Sequence, residues 1–175
     1  MEFLFDTANI GEIKKYGAIF PYTGVTSNPS IIKTEGRIEF FPHFREVRGI
    51  IGHERSLHIQ TLARDWKGII EETDAILSDV DEQVYIKIPT TEDGLKAMQI
   101  LKRRGVHITA TAIYTKAQGF MAISAGADYI APYCNRMENM DINFADTIAA
   151  LAQMISRGFP TKILAASFKN IAFAA

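Results

Sequence analysis

Seven short runs dense in Val, Ile, Phe and Tyr punctuate the chain: EFLFD, GVTSN, SLHIQ, VYIKIP, HITATAIY, DYIAPY and KILAASF. Longer segments with helical spacing separate them. From Leu62 to Leu77 the residues Ala63, Trp66, Ile69, Ile70, Thr73 and Ile76 fall along one side of a helix. Leu95, Met98, Leu101 and Lys102 repeat that step before Gly105 closes it. Thr115-Lys-Ala-Gln118 reads as a capping box, so a helix opens there, and Ile142 to Ser156 reads as a further helix closed near Gly158 and Pro160. Thr90 or Thr91, followed by Glu92 and Asp93, has the chemistry of a helix start. Strands alternating with helices across short connections imply a parallel sheet, because parallel neighbours need a crossover and a helix is the usual one. Alternation alone leaves two architectures open, a doubly wound sheet and a closed barrel.

The polar residues on the strands arbitrate. Side chains alternate across a strand, so Val84, Ile86 and Ile88 share one face of VYIKIP while Tyr85, Lys87 and Pro89 share the other. The same parity sends Phe3, Phe5, Val25, Leu57, Ile59, Ile108, Ala110 and Ile130 outward under covering helices. It sends Asp6, Thr26, Asn28, His58, Gln60, Thr109, Thr111, Ala131 and Tyr133 inward, and Ser167 closes KILAAS in the same way. Asp6, Asn28, Gln60, Lys87, Thr111, Tyr133 and Ser167 thus sit near the carboxyl ends of their strands on the inner face. A (β/α)8 barrel builds its active site at that end. Any one Thr or Ser among them also reads as a satisfied core group. Lys87 does not, since a buried lysine requires a partner or a purpose, and an Asp6–Lys87 ion pair that only supports the fold is the competing account.

Composition narrows the partners. The 175 residues suit one domain, 1–175; 47% are hydrophobic and 22% charged, and the formal net charge of -1 attracts neither nucleic acid nor an anionic membrane. Any anion must therefore be held locally. Cys134 is the only cysteine, and MEFLFDTANI has neither a basic start nor a long apolar segment, which points to a reducing cytoplasm.

A lysine in an apolar barrel loses charge by desolvation, and its neutral amine attacks carbonyls to form a Schiff base, while a nearby Asp6 carboxylate opposes the loss. The Schiff base is an electron sink for making or breaking the adjacent carbon–carbon bond, with no metal and no cofactor. Tyr133, Gln60 and Thr111 suit holding a water or hydroxyl for proton transfer, and Asp6 and Asn28 suit binding substrate hydroxyls. Arg136 and Ser167 lie where barrels commonly hold phosphate. Competing motifs fail: His58 is one place too late to complete HExxH after His53-Glu54, and Ser30-Ile-Ile-Lys33 lacks the companions of a penicillin-binding site. Asp141 and Asp146, near a helix start, read as serving capping and the helix dipole rather than metal binding, and Met137 and Met140 as packing residues.

FLFDTANI, GVTSNPSII, VYIKIPTTEDGLKA, TATAIYTKAQG, AGADYIAPYCNR and KILAASFKN together resemble the transaldolase-like family of class I aldolases, and within it the fructose-6-phosphate aldolase group. The resemblance implies a TIM barrel with Lys87 as the Schiff-base lysine on its fourth strand. It implies Asp6 and Asn28 at the hydroxyls of a dihydroxyacetone unit, Gln60, Thr111 and Tyr133 around a water, and Thr26, Ala131, Arg136 and Ser167 on the substrate side with the last two at phosphate. The substrate implied is a sugar phosphate, cleaved as fructose 6-phosphate or passed between sugars by transaldolase transfer. A Gln and a Tyr at the water, as here, go with the aldolases of the family; Glu and Phe go with the transaldolases. Family members form ring-shaped oligomers and continue after SFKN with an eighth strand, whereas this chain stops at IAFAA. The expectation is a barrel truncated after its seventh strand, and the reading from a different class is a non-catalytic incomplete barrel.

Overall fold

Six side chains set where helices begin. Asn9, Asn28, Asp65, Thr91, Thr115 and Asn143 each accept a backbone N–H from the first turn that follows. Each satisfies a donor that the helix cannot pair internally. The computed structural model describes residues 1–168, so Lys169 and Asn170 of the SFKN stretch and the IAFAA ending lie outside the described residues. Inter-residue contacts divide the chain into two units, Met1–Lys87 and Ile88–Ala175.

In the first unit, strands β1 (Leu4–Asp6), β2 (Gly24–Thr26), β3 (Ser56–Gln60) and the Tyr85–Lys87 part of β4 (Tyr85–Pro89) pair in chain order, all parallel. Helices α1 (Ile10–Gly17), α2 (Pro29–Thr34), α3 (Phe40–Ile51) and α4 (Trp66–Asp79) supply the crossovers. Phe44, Val47 and Ile51 recur at helical spacing on α3 and are buried, as are Ile69 and Ile76 on α4. They join Leu57, Ile59 and Ile86 in one core, which is the outward strand parity expected. At the strand ends, successive backbone bonds continue the ladder: Thr7 to Thr26, Ser27 to His58 and Thr61 to Lys87.

In the second unit, β5 (Ile108–Ile113), β6 (Tyr129–Pro132) and β7 (Lys162–Ile163) are likewise parallel and in chain order. Their helices are α5 (Glu92–Arg103), α6 (Lys116–Ser124), α7 (Cys134–Glu138) and α8 (Phe144–Ile155). The capping box at Thr115 and Gln118 is present with both of its bonds. Gly119 lets α6 approach α8, since a Cβ there would collide with Leu151. Seven parallel strands alternating with helices make the fold α/β. Among the described residues no helix is long and apolar enough to cross a membrane.

Several local expectations change. The helix read from Leu62 starts at Trp66, because Asp65 caps it and leaves Leu62 exposed. The helix read from Ile142 starts at Phe144 and is capped by Asn143 rather than by Asp141, while Asp146 stands in its first turn, where its charge favours the helix dipole as expected. Asp141 instead takes a turn conformation at φ 56°, and Asp146 in the first turn pairs with Lys116 at 2.6 Å. Met137 is buried as expected, but Met140, past the end of the short α7, is exposed and packs nothing away. Phe5 stacks on Tyr22 with centroids 4.4 Å apart, whereas Phe3, outside β1, lies uncovered. β7 covers only two residues of KILAASF, and Ser167 lies beyond it with a positive φ of 64° that no regular strand accommodates.

Candidate active site

Midway along β4 the first unit holds a lysine out of water. Lys87 is 5% exposed, in the middle of a strand whose Ile86 is fully buried. Its ammonium donates to the Thr26 hydroxyl at 2.8 Å and to the Ser27 carbonyl at 2.7 Å. Both partners come from the end of β2, where the chain leaves the strand for α2. The bonds go to these groups and not to Asp6, so the structural ion pair weighed against a functional lysine is not formed. Burial is the larger influence and pushes the amine down to about 8, while the negative charge of Asp6 holds it up. Asp6 is raised in turn, mainly by desolvation and against the pull of Lys87. Its residue surface is nevertheless open, so solvent moderates that shift.

Gln60 is the register partner of Lys87 on β3, so both side chains leave the sheet on the same face, about 4.8 Å apart along the hydrogen-bonding direction. The Gln60 Oε1 atom is buried with no hydrogen-bond partner among the described residues. A buried amide oxygen without a partner is costly, and a water or substrate hydroxyl would satisfy it. One layer below, His58 is fully buried, stacked on Tyr85 at 4.8 Å and hydrogen-bonded to the Ser56 hydroxyl at 2.9 Å. Burial and the cations Lys87 and Arg48 push its imidazole down to about 3, so it is neutral and adds no charge beneath the lysine. Asn28 divides its amide between two tasks. Its Oδ1 caps α2 by accepting from Ile31 at 3.0 Å, which leaves its NH2 as the group available to a ligand.

The second unit carries a hydroxyl pair. The Thr111 hydroxyl donates to the Tyr133 hydroxyl at 3.1 Å. β5 is irregular here: its register with β6 shifts between Ala110 and Ile113, and Ala112 takes a φ of 56°. A non-glycine residue in that region is strained, and the kink accompanies the turn of Thr111 toward Tyr133. Tyr114 meets Tyr133 edge-on at 5.8 Å. Arg136 lies 5.0 Å over the Tyr133 ring and donates to the Tyr114 hydroxyl at 3.4 Å, a stacked and exposed guanidinium. Ser167 is held beside it through its carbonyl, which accepts from the Asn135 N–H at 2.9 Å. Ala131 is buried on β6.

Within the first unit, then, Asp6, Thr26, Asn28 and Gln60 stand at the ends of β1 to β3, with Lys87 midway along β4. Within the second, Thr111, Tyr133, Arg136 and Ser167 cluster at the ends of β5 to β7. Sequence reasoning missed Ser27, which serves Lys87 through a backbone carbonyl and so leaves no side-chain signal. It also missed Tyr114, whose signal was an aromatic residue directly ahead of a capping box. Among the described residues no group of three His, Cys, Asp or Glu side chains could hold a metal ion.

Known proteins resemble this chain at two levels. A family profile described as Transaldolase/Fructose-6-phosphate aldolase matches residues 3–173. A "Probable fructose-6-phosphate aldolase" of Streptococcus pneumoniae (strain ATCC 700669 / Spain 23F-1) is 51% identical over 173 residues, covering 98% of this chain and 78% of that protein. Among solved structures, a racemase from Streptomyces coelicolor A3(2) with bound magnesium matches 99% of this chain and 48% of its own, at TM-score 0.65 and 13% identity. A dipeptide epimerase from Enterococcus faecalis V583 matches 94% and 47%, at TM-score 0.61 and 11% identity. The chain spans about half the length of these solved structures, and at such identity the likeness is one of fold alone.

Proposed function

Because this chain belongs to the transaldolase/fructose-6-phosphate aldolase family, we propose that it is a class I aldolase that cleaves or forms fructose 6-phosphate through a Schiff base on Lys87. In this reading the seven described strands and the helices between them are those of a (β/α)8 barrel of the class I aldolase type. The observation that carries the reading is the state of Lys87: buried, held by Thr26 and Ser27, and with its amine lowered to about 8.

The neutral amine attacks C2 of the open-chain ketose, and loss of water leaves an iminium. Removal of the C4 hydroxyl proton then breaks the C3–C4 bond. Its electron pair moves into the iminium to give an enamine, and glyceraldehyde 3-phosphate departs. Protonation of the enamine at C3 and hydrolysis of the iminium release dihydroxyacetone and regenerate Lys87. Asp6 and the Asn28 NH2 bind hydroxyls of the dihydroxyacetone unit. Arg136 and Ser167 hold the phosphate. The hydrogen-bonded Thr111–Tyr133 pair supports proton transfer at Tyr133, because the Gln60 carboxamide positions a water but cannot take up its proton. The same Gln60 and Tyr133 favour cleavage over transaldolase transfer, in which an acceptor sugar takes the enamine.

Borohydride added with the ketose should trap a mass gain on the peptide carrying Lys87. A folded sample that gains none would refute the Schiff base. Fructose 6-phosphate supplied without an acceptor aldehyde should release free dihydroxyacetone; a requirement for an acceptor would assign the transferase instead.

A further inference from the structure

Next to Gln60 the first unit has a cavity of about 320 Å³ that the reaction above does not use. Its walls have three chemical zones. The inner end is polar, with the buried and unpartnered Gln60 Oε1. The middle is apolar, between Pro29 and Ile32 at α2 and Ile38, Phe40 and Leu62 across from them. The outer rim carries Lys33 and Arg37. Gly36, at φ 77°, ends α2 and turns the chain back so that Arg37 joins the same rim.

The rim is positive by arrangement, not merely by composition. Glu35 lies between the two cations in sequence, but its carboxylate accepts from the Asn9 NH2 at 2.9 Å, and neither it nor Glu39 lines the cavity. Among the described residues Lys33 and Arg37 form no ion pair. At roughly 30 Å³ for each methylene-sized group the volume admits a chain of about ten such groups. Gln60 is in register with Lys87, so the polar end of the cavity lies one strand away from the proposed nucleophile, which does not itself line it.

Resting on the Schiff-base reading, we propose that this cavity receives the non-reacting arm of the ketone bound at Lys87. The arm it fits is a short aliphatic chain ending in a carboxylate or a phosphate. A hydroxyl or water near the carbonyl meets Gln60, the methylenes lie between Ile32, Ile38 and Leu62, and the anion meets Lys33 and Arg37. Dihydroxyacetone, bound at Asp6 and Asn28, leaves this cavity empty, so donor ketones with an extended anionic arm are a substrate class that this chain should accept.

The probes are 6-oxoheptanoate, 5-oxohexyl phosphate and the neutral 6-oxoheptanamide. With the full chain and borohydride, the two anionic ketones should trap on Lys87 at about tenfold lower concentration than the amide, and raised salt should erase the difference. Lys33→Ala combined with Arg37→Ala should remove that preference and leave trapping of the amide and of hydroxyacetone unchanged. The relative strength of the carboxylate and phosphate probes identifies the preferred head group. Equal trapping of all three, or a preference that survives the double variant, would overturn the proposal. Should no ketone trap at all, the Schiff-base reading fails by itself, and calorimetric titration of Lys87→Met still decides the cavity. There 6-oxoheptanoate should bind more tightly than the amide, and Leu62→Glu, at an exposed wall position, should abolish the difference; equal affinities refute the site.

Discussion

Titrating Lys87 tests the central chemistry directly. An amine at about 8 is neutral in roughly one molecule in ten at pH 7, against about one in three thousand for an amine at 10.5. The rate of adduct formation with a ketone and cyanoborohydride should therefore climb about tenfold per pH unit from pH 6, bend near 8 and stay flat to 10. Asp6→Asn removes the charge that holds the amine up, so the bend should move to lower pH even if the maximal rate falls. Folding offers an independent readout of the same shift. Between about 8 and 10.5 the unfolded chain binds a proton that the folded chain does not, so stability must rise with pH across that window. The slope is about 1.4 kcal/mol per unit, some 3 kcal/mol in all. Urea unfolding of the wild type and of Lys87→Met should diverge by that amount in favour of the wild type, since the variant has no such proton. A bend near 10.5 with parallel stability curves would refute a desolvated lysine. A bend that moves upward in Asp6→Asn would refute the role given to Asp6.

Other parts of the molecule make separate predictions. Asp81→Ala should cost about 3 kcal/mol in urea unfolding, because it strands Arg48, 6% exposed and paired with that carboxylate at 2.7 Å, with the carbonyls of Gly52 and Arg55 as its remaining partners among the described residues. Gly94→Ala should destabilise by roughly 1–3 kcal/mol, since a Cβ in the first turn of α5 would collide with the Pro89 carbonyl; an unchanged midpoint would contradict that close approach. At Ala112, φ 56°, replacement by Gly should leave stability unchanged or improved, whereas Val should cost about 2 kcal/mol and disturb the Thr111–Tyr133 bond. Tyr133→Phe should slow dihydroxyacetone release about 10²-fold or more while leaving borohydride trapping on Lys87 intact, a separation that distinguishes proton transfer from folding.

Much of this was legible along the chain because strand and helix periods are local. Seven strands, the capping box at Thr115 and the inward parity of Gln60 and Lys87 follow from spacing alone, since a side chain two residues on returns to the same face. Helix starts were harder. Asp65 and Asn143 compete with nearby residues of similar chemistry, and only the backbone bonds they capture decide between them. The bend in β5 and the end of β7 were not legible, because the strain at Ala112 and Ser167 is set by which neighbouring strand offers a partner.

The sequence by itself determined that a lysine would stand on the polar face of a buried strand, among residues suited to a polyhydroxy ketone. Only the tertiary structure decided what that lysine touches. Thr26 and Ser27 lie about sixty residues upstream, and it is the β2–α2 turn that brings their oxygens to the amine. It also separated Lys33 and Arg37 from the glutamate between them, by turning Glu35 toward Asn9. Charge order along a chain is fixed by synthesis, but the field at a pocket depends on where each side chain is held.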